Sequence, residues 1–276
     1  MSSQPLSHRE EYLLKKRKAR LIKYGFILFL LIILFVGTVF LSRMQKFRIS
    51  SVELSGNTLV SNDEVSAAAK NFMSGNYFWF FPKNNDLLYQ HNSLQNFLAE
   101  KFQRIDTISV HLKNSQTLSI AITERPLTAL WCSGMPEDVP AGVCYFMDDN
   151  GLIFAESPDF SGDAYFKYYG RVASSTTPIG TQYIASTTLF KDFGKFIKRA
   201  QDLSLHPIYL QSTGDEQFTV GLAGGGYIYI DTKEPLAKSA DNLQALLGTI
   251  SATATTTLNF DYIDLRFGNK LYYKLE

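Results

Sequence analysis

One uninterrupted apolar run dominates the pattern of hydrophobic and polar positions along the chain. It spans residues 24–42, reads YGFILFLLIILFVGTVFLS, and contains no charged residue. At about 1.5 Å per residue, a helix of this length measures about 28 Å, close to the ~30 Å hydrocarbon thickness of a bilayer. The run therefore predicts a single N-terminal transmembrane helix.

A cleaved signal peptide is the alternative interpretation of this run. Its apolar core would be about 7–15 residues long and would end in a small-x-small cleavage site. Here the run is longer, and the bulky residues Phe40 and Leu41 stand at the cleavage positions. The pattern favours an uncleaved anchor.

Five segments with the periods of regular structure follow the apolar run. They are a strand at 49–54, a helix between Ser61 and Gly75, a helix at 87–102, and strands at 105–112 and 118–123. Ser61 and Glu64 form a capping box at the start of the first helix. The order strand, helix, helix, strand, strand predicts a small sheet with two helices packed on one face.

An aromatic run, Tyr77-Phe78-Trp79-Phe80-Phe81, separates the two predicted helices. Packing within the domain is the favoured interpretation of these side chains. The alternative is a patch that contacts the membrane surface or a partner.

Residues 125–276 are richer in strands. Pro126 ends the preceding strand, and Asn150-Gly151 is a strong hairpin signal. Two helices are predicted, at 187–203 and 236–250, within a mainly antiparallel β domain. Residues 262–267 and 270–274 close the chain as a hairpin or as one bulged strand, and the whole chain is predicted to be α+β.

Charge orients the predicted membrane helix. Residues 1–23 carry seven basic and two acidic side chains, whereas Arg43, Lys46 and Arg48 alone closely follow the apolar run. This asymmetry predicts a cytoplasmic N-terminal tail and an extracytoplasmic body.

The charge of the rest of the chain bears on its partners. Residues 24–276 carry 20 basic and 24 acidic side chains. A mildly acidic body without a Lys/Arg stripe argues against a nucleic-acid partner.

The two cysteines, Cys132 and Cys144, lie on the exported side at the ends of a loop that contains Pro and Gly. Strands of one hairpin can bring two such residues to bonding distance, and an oxidising exterior favours a disulfide. Two buried free thiols are the alternative. A metal site is not expected, because neither cysteine has a nearby histidine or second cysteine pair.

The sequence shows no constellation of catalytic residues. The extracytoplasmic histidines, His91, His111 and His206, have no zinc-binding spacing, and no nucleophile elbow, penicillin-binding signature or Walker A loop occurs. Asp148-Asp149 lacks the later positions of a calcium loop and is typical of a turn. We therefore expect no enzymatic activity, no cofactor and no small-molecule substrate. A membrane-anchored protein that binds or cleaves the cell wall is the alternative.

The order of these elements and the residues at their junctions resemble the FtsQ/DivIB family of bacterial cell-division proteins. Five patterns carry the resemblance: ISSVELSGN at 49–57, TLSI at 117–120 running into ERP at 124–126, ALW at 129–131, DNGLIF at 149–154 and IDLRF at 263–267. The resemblance implies four regions: a cytoplasmic tail at 1–23, a transmembrane helix at 24–42, a polypeptide-transport-associated (POTRA) domain at 47–124 and an FtsQ-type β domain at 125–276.

Proteins of this family are bitopic scaffolds of the divisome in the bacterial cytoplasmic membrane, at the division septum. The resemblance implies binding to FtsB/DivIC-like and FtsL-like proteins and a part in regulating septal peptidoglycan synthesis. The family's main partner contact is the last strand of the β domain, to which the partner adds a strand. By position, the resemblance assigns this contact to Arg266, Phe267, Asn269, Lys270 and Tyr272.

This assignment has a physical basis. An unpaired strand edge offers backbone N–H and C=O groups to another chain. Arg266 can bind a partner carboxylate bidentately, and Phe267 and Tyr272 can supply buried area. Two alternatives stay open: Phe267 as an ordinary core aromatic, and Asp264 as a hairpin or salt-bridge residue.

Overall fold

The computed structural model describes residues 8–136, 142–158, 164–172, 177–251 and 259–275. Two compact units divide the chain, Met1–Glu124 and Arg125–Glu276, and each has its own hydrophobic core. The described residues form an α+β fold that begins with an apolar helix, which confirms the predicted fold class.

The first unit begins with one long helix, α1 (His8–Ser42). Its section from Lys16 to Ser42 is long and apolar enough to cross a membrane, and it is not buried by the rest of the protein. The helix extends upstream of the predicted span into the basic tail, of which residues 1–7 lie outside the described part. Because every backbone group inside a helix is paired within the helix, this segment is suited to a lipid environment.

A small sheet with two helices follows, in the predicted order of elements. In the sheet, β1 (Ser51–Ser55) runs parallel to β5 (Thr117–Glu124), and β4 (Ile105–Asn114) pairs antiparallel with β5 on its other side. The helices are α2 (Asn62–Phe72) and α3 (His91–Lys101). Apolar side chains from both helices and the sheet form the core, among them Val65, Ala69, Leu94, Leu98, Leu118 and Ile120.

The second helix starts later than predicted, at His91 rather than at residue 87. The segment before it is held in turns by Asn85. The backbone N–H groups of Leu88 and Tyr89 both donate to the Asn85 carbonyl oxygen, and that of Leu87 donates to the Asn85 side chain. These local bonds compete with helix formation, so the helical period of the apolar residues overstates the helix by about one turn.

The aromatic run forms a short ribbon between the helices. Its ends lie in β2 (Asn76–Tyr77) and β3 (Phe81–Pro82), which pair antiparallel. The tip projects outward, with Phe78 and Trp79 each 86% exposed. Packing within the domain, which the sequence favoured for the whole run, is therefore observed only for the residues at its two ends.

The carboxylate of Glu124 closes the first unit by binding three successive backbone N–H groups. Its Oε1 accepts from Thr58 (2.6 Å), Leu59 (2.8 Å) and Val60 (2.9 Å). Burial acts to raise the pKa of Glu124, but these backbone hydrogen bonds, with the nearby charge of Arg104, lower it below its ordinary value. The end of β5 is thereby tied to the turn that precedes α2.

We expect Glu124→Gln to lower the free energy of unfolding by about 1 kcal/mol at pH 7, because the amide keeps an acceptor but loses the charge-assisted component. Urea unfolding of the full chain in detergent measures this.

The lowered pKa of Glu124 in the folded state stabilises the fold at pH values above the unfolded-state pKa of about 4.3. The difference between native and variant chains should thus shrink as the pH falls through the lowered pKa. Glu53→Gln, in an exposed ion pair with Lys113, is the control and should change stability by less than about 0.5 kcal/mol. A difference that persists undiminished at low pH would contradict the assignment.

The second unit is built on one mixed sheet. Its strands in the described residues are β6 (Ala129–Cys132), β7 (Cys144–Met147), β8 (Ile153–Glu156), β9 (Lys167–Tyr169), β10 (Pro207–Ser212), β11 (Gln217–Leu222), β12 (Tyr227–Asp231), β13 (Phe260–Phe267) and β14 (Lys270–Leu275). From edge to edge the order is β14-β13-β12-β11-β10-β9-β6-β7-β8. Most neighbours are antiparallel, whereas β12–β13, β10–β9 and β6–β9 are parallel.

Two amphipathic helices, α4 (Thr187–Asp202) and α5 (Leu236–Ser251), contribute to the main core of this unit. Ser186 caps α4 by accepting a hydrogen bond from the Leu189 N–H. Apolar side chains of both helices pack with alternate strand residues, including Phe193, Phe196, Leu243, Leu210, Ile228, Ile230 and Ile263. Because strand side chains alternate between faces, the residues between these positions lie on the opposite face of the sheet.

Candidate functional site

The final hairpin forms one edge of the second unit's sheet. β13 is hydrogen-bonded to β12 on one side and to β14 on the other, so β14 is the outermost strand. Of the two arrangements that the sequence left open, the hairpin is the one observed. Gly268 adopts a φ of +63° in the turn, and the Asn242 side chain of α5 donates to its carbonyl oxygen (2.7 Å).

The residues assigned to the partner contact divide between two strands and the turn. Arg266 and Phe267 end β13, Asn269 lies in the turn, and Lys270 and Tyr272 lie on β14. The outer edge therefore belongs to β14, one strand beyond Arg266. The hairpin nevertheless brings the assigned side chains to one end of the sheet.

The two edges of the sheet differ in how their backbone is covered. At the opposite edge, the Ile153 N–H of β8 donates to the Thr181 carbonyl (3.0 Å), and the Gly180 N–H donates to the Ile153 carbonyl (2.7 Å). Within the described ranges, β14 has β13 as its one strand neighbour and no comparable covering segment. An uncovered edge of this kind can accept an additional strand.

Arg266 is held by a carboxylate of its own strand. Its Nε donates to Asp264 Oδ1 (2.9 Å) and its Nη2 to Oδ2 (2.6 Å). The hydrogen bond to Asp264 raises the pKa of Arg266 above its ordinary value, and the guanidinium also lies over the ring of Tyr229, 5.1 Å from its centroid. Asp264 is therefore a salt-bridge residue, which is one of the roles that the sequence left open for it. Because a guanidinium has five N–H donors, a partner carboxylate can still be bound beside Asp264.

Two aromatic side chains project from the end of the hairpin. Phe267 is 55% exposed and Tyr272 is 51% exposed, and their rings meet edge to face with centroids 5.3 Å apart. Phe267 is therefore not a core residue. Lys274 secures the other end of β14 by donating to Asp261 (2.6 Å), which raises the pKa of Lys274.

Tyr229 and Tyr262 extend this aromatic surface across β12 and β13. Their ring centroids are 6.2 Å apart, and burial raises the pKa of Tyr229. No motif in the sequence singled out Tyr229, although the Tyr-Ile-Tyr-Ile pattern of β12 places it opposite the core face. We use the term edge surface for one set of side chains together with the outer backbone of β14: Tyr229, Tyr262, Arg266, Phe267 and Tyr272.

The titratable residues of the described part do not assemble into a metal site. No group of three or more His, Cys, Asp and Glu side chains there is placed to hold a metal ion. His91, His111 and His206 are all exposed, at the start of α3, on β4 and just before β10. The end of the hairpin presents the backbone groups of β14, exposed aromatic rings and the oriented guanidinium of Arg266, all of which can bind a peptide segment.

The other residues that the sequence pointed to, the two cysteines and Asp148, stabilise the fold of the second unit. A disulfide joins Cys132 to Cys144 and ties β6 to β7, while residues 137–141 of the loop between them lie outside the described part. Asp148 shapes the predicted turn by accepting from the Asn150 N–H (2.9 Å), and it forms an ion pair with Arg125 (2.8 Å).

Comparison with known protein families matches residues 47–125 to the POTRA domain of the FtsQ type. The matched segment contains the whole three-stranded sheet of the first unit and both of its packed helices. No curated protein matches the chain.

Proposed function

We propose that this FtsQ/DivIB-like cell-division membrane protein is a bitopic scaffold that captures FtsB/DivIC-like and FtsL-like proteins by strand addition at β14. By holding these partners at the septum, it helps to regulate septal peptidoglycan synthesis. The observation that carries the proposal is the edge strand without a covering segment in the described residues, next to the edge surface.

The backbone of β14 supplies affinity in this proposal. Alternate residues of a strand point both backbone groups to the same side, so about three of its six residues offer hydrogen bonds to an incoming strand. Each such bond contributes about 0.5–1.5 kcal/mol net of the lost bonds to water. The partner's side chains then alternate between the two faces of the extended sheet.

The edge surface supplies selectivity. Phe267 and Tyr272 both expose aromatic surface. Aromatic side chains are often among the few residues that contribute most of the binding energy of an interface. Arg266 adds a permanent positive charge that is oriented by Asp264 and by the ring of Tyr229. We therefore expect the partner segment to carry apolar side chains and at least one carboxylate.

A single-pass membrane anchor fits α1, with the basic tail in the cytoplasm. The Cys132–Cys144 disulfide supports an extracytoplasmic position of the second unit, because disulfides persist in oxidising compartments. FtsQ-type POTRA proteins form a non-enzymatic scaffold family. Together these points favour a docking function without catalysis.

Photo-crosslinking tests the proposal in cells. The photoreactive amino acid p-benzoylphenylalanine, introduced at Tyr272 of the full chain, is expected to crosslink to the FtsB/DivIC-like protein. The control places the same group at Glu156, which is exposed on β8 at the opposite edge of the sheet. Equal crosslinking from the two edges, or crosslinking from Glu156 alone, would overturn the assignment to β14.

A further inference from the structure

We propose that the first unit binds the lipid bilayer directly, by inserting the tip of its aromatic loop (Tyr77–Phe81) into the membrane interface beside α1. The inference requires that α1 crosses the membrane, but it is independent of partner capture at β14. The occupant of this surface is lipid of the leaflet on the side of the body.

The tip of the aromatic loop is apolar and highly exposed. Phe78 and Trp79 are each 86% exposed, and Leu87, which lines the same groove as Phe78, is 84% exposed. Phe78 and Trp79 have φ values of 47° and 65°, in the left-handed region that large side chains rarely adopt. Unusual backbone conformations of this kind concentrate where they serve binding.

Contacts between the aromatic loop and the apolar span of α1 show how deep the loop lies relative to the membrane. The ring of Phe80 lies 5.7 Å from that of Phe35 on α1, and the ring of Phe81 lies 6.1 Å from it. Phe35 is seven residues before the end of α1 at Ser42, which corresponds to about 10 Å along a helix. Because Phe35 is inside the apolar span, a loop whose rings touch it reaches from the interface into the hydrocarbon region.

The polar groups of the loop are suited to this depth. Arg43, which follows α1, donates through Nε to the Phe80 carbonyl (3.1 Å) and through Nη2 to the Trp79 carbonyl (3.3 Å). The Phe80 N–H donates to the Tyr77 carbonyl (3.1 Å). Satisfied backbone groups lower the cost of entering lipid, and a cation at this level can contact lipid phosphates.

The apolar surface is also continuous with the membrane helix. A groove of about 540 Å³ lies between the end of α1 and the aromatic loop, lined mainly by apolar residues such as Leu41, Phe47, Phe81 and Leu88. Lys83 lies over the ring of Tyr77, 5.7 Å from its centroid. Aromatic rings with flanking basic groups are the residues that proteins enrich at the membrane–water interface. This continuity with α1 favours lipid over a second protein as the occupant.

Tryptophan fluorescence of the full chain in lipid vesicles tests this proposal. The chain has two tryptophans, Trp79 and the buried Trp131, so the variant Trp131→Phe leaves Trp79 as the single emitter. We expect its emission to be blue-shifted, to lose most of its intensity when the lipids are brominated on the acyl chains, and to be protected from aqueous iodide. The matched control, Trp79→Phe, reports Trp131, which should not respond to brominated lipid.

Two results would overturn the proposal. Emission from Trp79 that is quenched by iodide and unaffected by brominated lipid would mean that the loop lies in water. Blue-shifted emission without quenching by brominated lipid would mean that protein, such as a second copy, covers the ring. Because Trp131→Phe also removes a hydrogen bond to the Gly170 carbonyl, the difference between the native chain and Trp79→Phe supplies the same signal independently.

Discussion

The double variant Phe267→Ser/Tyr272→Ser is expected to bind the FtsB/DivIC-like protein about 100-fold more weakly than the native chain. A contacting interface aromatic contributes about 1.4 kcal/mol, and each 1.4 kcal/mol corresponds to a tenfold change in affinity, so the loss of two such rings gives about 100-fold. The two rings touch each other and are about half exposed, so their removal should leave the fold intact. Titration of the full chain in detergent with the purified partner measures the effect.

Ile179→Ser is the matched control for this variant. Ile179 is 39% exposed in the segment that precedes the cover over β8, at the far edge of the same sheet. The Ile179→Ser variant also removes an exposed apolar side chain. It should change the affinity less than about twofold, because Ile179 lies away from the proposed contact. Equal losses from the two variants, or no loss from the double variant, would show that the partner does not use the edge surface.

The substitution Gly226→Ala is expected to have the largest effect on stability, with a loss of roughly 2–5 kcal/mol. Gly226, just before β12, has a φ of +76°, and an added Cβ would overlap the backbone oxygen of Phe260 in β13. Alanine is disfavoured at this φ, and the overlap would push apart the parallel strands that carry the hairpin. The same variant should therefore also weaken partner binding, because β14 depends on β13 for its position.

Gly224→Ala separates this local effect from a general sensitivity of the turn. Gly224 belongs to the same glycine run, but an added Cβ would meet no atom within 4 Å. Urea unfolding should give it a stability within about 0.5 kcal/mol of the native chain. If Gly224→Ala and Gly226→Ala were equally destabilised, close packing of β12 against β13 would not be the reason.

The long apolar helix and the first unit could be predicted because their signals are local. The uncharged run at 24–42 needs only its length to be recognised, and the alternation in β4 and β5 is nearly unbroken. The cap at Ser61 is observed as predicted, with the Glu64 N–H donating to its hydroxyl. The start of α3 was wrong by four residues because the turn at Asn85 depends on side-chain hydrogen bonds, which hydrophobic periodicity does not register.

The candidate site was predictable only in part, because the order of strands in a sheet is not a local property. Alternation indicated strands on both sides of Gly268, but it could not show that β13 is interior and β14 outermost. Tyr229 is far from Arg266 in sequence, and it joins the edge surface through the parallel pairing of β12 with β13. The outward tip of the aromatic loop was only the alternative interpretation for a related reason, since composition alone does not distinguish a core aromatic from an exposed one.

Amide hydrogen exchange of β14 in the full chain, with and without the FtsB/DivIC-like protein, tests the docking proposal most directly. Before binding, we expect the outward-facing N–H groups among residues 270–275 to exchange rapidly, because no described neighbour accepts from them. Binding by strand addition should slow exchange at alternate residues of this strand. Unchanged exchange along β14, with protection appearing elsewhere in the chain, would contradict the account.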